Sequence, residues 1–181
     1  MGADAIDDIL RFWFEELKPK NWFRRDTVVD AAIKVRFGEI YEELKEGVPA
    51  DWLTGPEGCL AAILMLDQFP RNMFRDGARA FATDEAALAL AKRAIAKGLA
   101  DKLTPKQRSF LYMPFQHSED AADQARSVGL YTALGNPLNL DFALRHQAII
   151  ARFGRFPHRN AMLGRASTEE EKAFLAKGAP F

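Results

Sequence analysis

Apolar residues recur at helical spacing from one end of this chain to the other, and no segment alternates for long enough to read as a strand. Ile6, Ile9, Leu10, Trp13, Phe14 and Leu17 draw a single stripe along a first helix, with Asp4 placed to cap it and Pro19 to end it. A second helix is expected from about Thr27 to Lys45, with Val28, Ala32, Val35, Ile40 and Leu44 as its core face and Gly47 and Pro49 as its stop. A third, from about Pro56 to Gln68, is apolar nearly all round and should be the most buried.

Later boundaries are marked by cap and stop residues. Thr83 precedes an alanine-rich run from Asp84 to Lys97, and Gly98 stands where a left-handed residue ends a helix. Thr104, Pro105 and Gln107 form the pattern of a capping box. Ser118 can cap the next helix, with Glu119 and Asp120 favourable in its first turn. Gly135, Asn136 and Pro137 break the chain before Leu138 to Phe153, and Ser167 with Glu170 opens a last helix. Thr83 to Ser118 is 35 residues and Thr104 to Asn136 is 32, close to the ~34-residue period of tetratricopeptide arrays, although the repeat consensus is absent. The expected fold is therefore all-α, an array of antiparallel helix hairpins in one domain spanning residues 1–181, with a plain bundle as the alternative.

Composition narrows the range of partners. Hydrophobic residues make up 48% of the 181 positions, enough apolar surface for a core, and 25 basic side chains cancel 25 acidic ones. No overall field is left to hold nucleic acid or an anionic membrane, so neither is expected as a partner. The longest strongly apolar run, Cys59 to Leu66, is far shorter than the ~20 residues a helix needs to cross a bilayer. The N-terminus carries acids where a secretory signal needs positive charge. A single cysteine, Cys59, can close no internal disulfide, which suits a reducing, cytoplasmic setting. Pairing of two chains through an exposed hairpin, as a homodimer, stays open.

Helix packing leaves three polar segments unexplained. In the first, Asp67 and Gln68 leave the end of the buried third helix, and Arg71, Asn72 and Arg75 enter the loop after it. The second, Phe115 to Asp120, holds His117 and Glu119 at a helix junction. The third runs from His146 through Arg155 to His158, Arg159 and Asn160. A Phe-Pro turn with Arg and Asn close behind occurs twice, at Phe69-Pro70 and at Phe156-Pro157, where proline is expected to stop a helix. Those arginines and asparagines either serve bare carbonyls at helix ends or face a ligand.

From Phe142 to Thr168 there are five arginines, no lysine and no acid. Arginine suits two-point binding of carboxylate or phosphate, so this zone reads as an anion-recognition patch. The competing reading pairs it internally with Asp67, Glu119, Asp120 and Asp123. All three histidines lie in the second and third segments, but no pair has the i, i+4 spacing of a helical zinc motif, so no metal or cofactor is expected. Acid–base work by Asp67 with His117 or His146 is the chemical alternative. Trp22, in a loop after Pro19, either walls a groove or plugs the end of a helix pair.

The ordered string Ile9-Leu10-Arg11-Phe12-Trp13-Phe14, Trp22-Phe23, Leu66-Asp67-Gln68-Phe69-Pro70-Arg71-Asn72, Phe115-Gln116-His117-Ser118-Glu119 and Gly154-Arg155-Phe156-Pro157-His158-Arg159-Asn160 resembles the bacterial DUF924 family. The resemblance implies an all-helical, tetratricopeptide-like fold and is silent on chemistry. Two functional classes follow from the residues. The first is a binding module for a small anionic molecule or acidic peptide. In it Arg71, Arg75, Arg155 and Arg159 are the anion contacts, Gln68, Asn72, Glu119 and Asn160 orient the ligand, and Trp22 forms a wall. The second is a hydrolase-like enzyme in which Asp67 and His117 or His146 exchange a proton.

Overall fold

The computed structural model describes residues 2–178, and among them every regular element is helical. Helix α1 (Ala3–Arg11) widens into a π-helical turn at Phe12–Glu16, and α2 (Pro19–Trp22) is one short turn. After α3 (Thr27–Glu46), α4 (Pro56–Ile63) passes through a second π-helical turn, Leu64–Gln68, into α5 (Phe69–Met73). The later helices are α6 (Asp84–Ala96), α7 (Pro105–His117), α8 (Ala121–Leu134), α9 (Pro137–Phe153) and α10 (Glu169–Leu175). Consecutive helices from α6 to α9 pack on one another, while α4 lies against α1, α6 and α7. From Gly58 to Gln68 every residue is buried, as the apolar run required.

The register of α3 differs from the expectation. Its core face is Ile33, Phe37, Tyr41 and Leu44, whereas Val28 is 76% and Val35 87% exposed. Two of the four buried positions, Phe37 and Tyr41, hold the aromatic rings of the helix, and Phe37 meets Phe12 and Phe69 at centroid distances of 5.1 Å. Burying rings removes more apolar area than burying valines, so the aromatic stripe decides which face turns inward.

Several caps also move. Asp4 lies inside α1 rather than before it, and Pro19 opens α2 instead of closing α1. Asp120, not Ser118, caps α8, accepting from the backbone N–H groups of Ala122 and Asp123 at 2.8 and 3.0 Å. The last helix is opened by Thr168 and Glu171, one residue later than expected, in a reciprocal capping box. The capping box at Thr104 and the left-handed Gly98 stand as read, and Gly135, where a chain break is expected, is left-handed too.

Pro70 does not stop its helix. A proline offers no N–H to the carbonyl four residues back, here that of Leu66, and its ring crowds that carbonyl. The π-helical turn just before it, one residue wider than α, relieves the crowding. The Leu66 carbonyl instead accepts the buried Thr83 hydroxyl at 2.6 Å, which ties the start of α6 to the bend. Thr83→Val is expected to leave that carbonyl short of a donor and to lower stability by about 1–2 kcal/mol, read from urea unfolding. An unchanged midpoint would show that the carbonyl needs no hydroxyl. Pro157 likewise stops nothing: Gly154, at φ +68°, ends α9, and Pro157 begins a short 3-10 turn.

Candidate functional site

The bend in the α4–α5 helix places Asp67 and Gln68 in the interior instead of at a helix end. Asp67 is 0% exposed. Its Oδ1 accepts from His117 Nδ1 at 2.7 Å, its Oδ2 accepts from the Gln68 amide, and Arg71 Nη1 lies 3.7 Å from Oδ1. Burial raises the pKa of this carboxyl, but His117, Arg71 and the two hydrogen bonds outweigh it and hold the group well below the usual carboxylate range. An ionised Asp67 can only accept, so Nδ1 of His117 carries the proton and Nε2 is left with the lone pair.

His117 is held in place by its neighbours. It is the last residue of α7, and the buried Gln124 amide on α8 donates to the carbonyls on both sides of it, Gln116 at 2.8 Å and Ser118 at 2.7 Å. Burial and the nearby Arg71 depress its pKa, with Asp67 acting in the opposite direction.

Above this pair opens a cleft of about 390 Å³, lined by His117, His146 and His158 together with Arg71, Arg75 and Arg159. His146, on α9, donates from Nδ1 to the Phe142 carbonyl at 2.8 Å; burial, and then His117, push its pKa down to about 3. His158 is pushed down to about 4 by burial and by Arg159. Arg71 holds Asp84 through both nitrogens, at 2.8 and 2.9 Å. Arg159 reaches the same carboxylate through one nitrogen, at 3.3 Å. Its guanidinium lies over the rings of Phe81 and Phe156, 4.8 and 4.5 Å from their centroids, and its Nε is buried with no acceptor among the described residues. Burial and Arg71 lower its pKa to about 10, which marks a cation short of negative charge.

Tertiary structure thus brings Arg71, Arg75, His117, His146 and Arg159 to one cleft, with Asp67 and Gln68 beneath it. It separates others. Trp22 packs edge-on against Phe110, 5.0 Å between centroids, and donates to the Trp13 carbonyl at 2.9 Å, so it closes a helix end rather than walling the cleft. Asn72 binds Asp30 at 2.8 Å, and Arg75, though it lines the cleft, binds the same carboxylate at 2.5 Å. Arg155 is taken by Glu171 at 2.7 Å and the Ala166 carbonyl at 2.9 Å. Glu119 accepts from Arg165 at 2.6 Å and from the Phe156 N–H at 2.7 Å, and Asn160 bonds Ser167 and Arg165, both at 3.0 Å.

Of the four acids weighed as internal partners for the basic zone, Glu119 alone forms an ion pair with it; Asp123 binds Lys92 and Asp120 is a cap. The other four arginines of the zone pair with acids outside that set: Arg145 with Asp141, Arg152 with Glu170, Arg155 with Glu171 and Arg159 with Asp84. Phe81 and Arg25, at the rim beside Asp76, carried no signal in the sequence. Among the described residues no three His, Cys, Asp or Glu side chains gather as a metal ion would need, and no helix is long and apolar enough to cross a membrane.

The family described as "Bacterial protein of unknown function (DUF924)" matches residues 9–179. The chain belongs to this family. A solved structure, that of a protein of unknown function from Agrobacterium tumefaciens, is similar over 97% of this chain and 99% of that one, at 41% identity and a TM-score of 0.89. No curated protein sequence matches. DUF924 membership therefore carries the fold but no reaction, and any chemistry has to be read from the cleft.

Proposed function

We propose that this DUF924 protein binds a small molecule bearing a carboxylate or phosphate in the cleft over Asp67 and His117. The observation that carries the reading is Arg159, with its guanidinium over two aromatic rings, a buried Nε without an acceptor among the described residues, and one 3.3 Å bond to a carboxylate that Arg71 already grips. A guanidinium so placed has lost water without gaining a full counter-charge, and an oxyanion entering the cleft would supply it. The size of the cleft, about 390 Å³, suits a metabolite-sized molecule. Stacking of consecutive helices from α6 to α9 supports the tetratricopeptide-like reading of the array, and the single buried cysteine supports a reducing compartment.

Inorganic phosphate and succinate are expected to raise the melting temperature saturably, against chloride at equal ionic strength, by the mass action of ligand on the folded state. Arg159→Met should remove the response. Wild-type protein that melts at the same temperature in all three salts would overturn the proposal.

A further inference from the structure

Nothing in ligand binding alone requires a fully buried carboxylate aimed at a cleft histidine. We propose that the cleft is also a hydrolytic site, in which His117, oriented by Asp67, is the general base for attack of water on the carbonyl of an ester that carries a second, anionic group. The proposal rests on the anion-binding reading above, which places the substrate.

Three observations support it. The 2.7 Å contact between Asp67 Oδ1 and His117 Nδ1 fixes the ring and its tautomer, so that Nε2 is the basic nitrogen left for the cleft that His117 lines. Asp67 caps no helix and meets no water, so its charge serves this imidazole and Arg71. The residues lining the cleft include no hydroxyl or thiol, which leaves water as the nucleophile; Cys59 is buried within α4.

The steps balance without any further reactant. His117 Nε2 takes a proton from water as the new C–O bond forms, and the carbonyl electrons move onto oxygen beside the Arg71 guanidinium. Collapse of this intermediate breaks the bond to the alcohol oxygen, which receives the proton from His117. An acid and an alcohol leave, and Asp67 stabilises the transient imidazolium without changing protonation.

The test uses 4-nitrophenyl hydrogen succinate, with 4-nitrophenyl acetate as its uncharged counterpart. Release of 4-nitrophenolate should be catalysed, with kcat/KM for the succinate ester at least about 10-fold above the acetate. His117→Gln should lower kcat about 100-fold or more while the succinate melting shift persists. Asp67→Asn should lower kcat without restoring it at higher pH, because the ring is then held in the wrong tautomer. In the wild type kcat should fall on the acid side as His117 takes up a proton. Hydrolysis no faster than buffer, or equal in His117→Gln, would overturn the base role. If the succinate shift survives that result, binding stands alone; if the shift is also missing, both readings fall.

Discussion

Lowering the pH from 7 to 5 is expected to remove roughly 4 kcal/mol from the stability of this fold, through buried imidazoles. His146 and His158 are held neutral in the folded chain, with pKa values pushed down to about 3 and about 4 by burial and neighbouring cations. In the unfolded chain each regains the ordinary value of about 6.5. Below that value the unfolded state binds protons that the folded state refuses, so stability falls as the pH drops through 6.5 and keeps falling until the folded pKa is reached. Over the ~1.5 units down to pH 5 each imidazole contributes about 2 kcal/mol to the loss, and His117, depressed in the same direction, adds to it.

Carboxylates act in a separate, lower window. Asp67, Glu119 and Glu171 are all shifted down, so their contribution is complete above the unfolded value of about 4 and is lost as the pH falls further. Urea midpoints measured at pH 7, 6 and 5 should show the histidine step, and His146→Gln should roughly halve it. A midpoint that does not move between pH 7 and 5 would show that the imidazoles are protonated at no cost to the fold.

Gly58→Ala is expected to destabilise the protein by about 3 kcal/mol although alanine is the better helix former. Gly58 lies in the buried α4, where a Cβ would sit 2.9 Å from both Cα and the carbonyl carbon of Trp52 and closer still to its oxygen. Those atoms are backbone and cannot swing aside as a side-chain tip would, so either α4 or the turn carrying the buried Trp52 must shift. The control has the opposite sign. Gly129→Ala in α8 meets nothing within 4 Å and should be neutral or stabilising by up to about 1 kcal/mol, the helix-propensity gain alone. Chemical unfolding of the two variants side by side separates crowding from propensity; equal midpoints would mean that the close approach at Gly58 relaxes freely.

Much of the architecture was legible because helix formation is local. The capping box at Thr104 depends on residues three apart, and the burial of Gly58 to Gln68 follows from an apolar run that leaves no polar face. The register of α3 was not legible. Its valines and its aromatics both fit a helical stripe, and the choice was made by which rings met Phe12 and Phe69, which belong to other elements. The bend at Pro70 needed Thr83, thirteen residues away, to serve the carbonyl that proline left bare.

The candidate site divides along the same line. Sequence alone determined that Asp67, His117, His146 and the arginines were more polar than helix packing could explain, because each stands at a position where the apolar pattern breaks. Only the tertiary structure decided that Asp67 meets His117 and not His146, that Arg155 and Arg165 are spent on Glu171 and Glu119, and that Arg159 is left under-neutralised over two rings. An ion pair depends on distance and desolvation rather than on spacing along the chain, and both quantities exist only once the helices have packed.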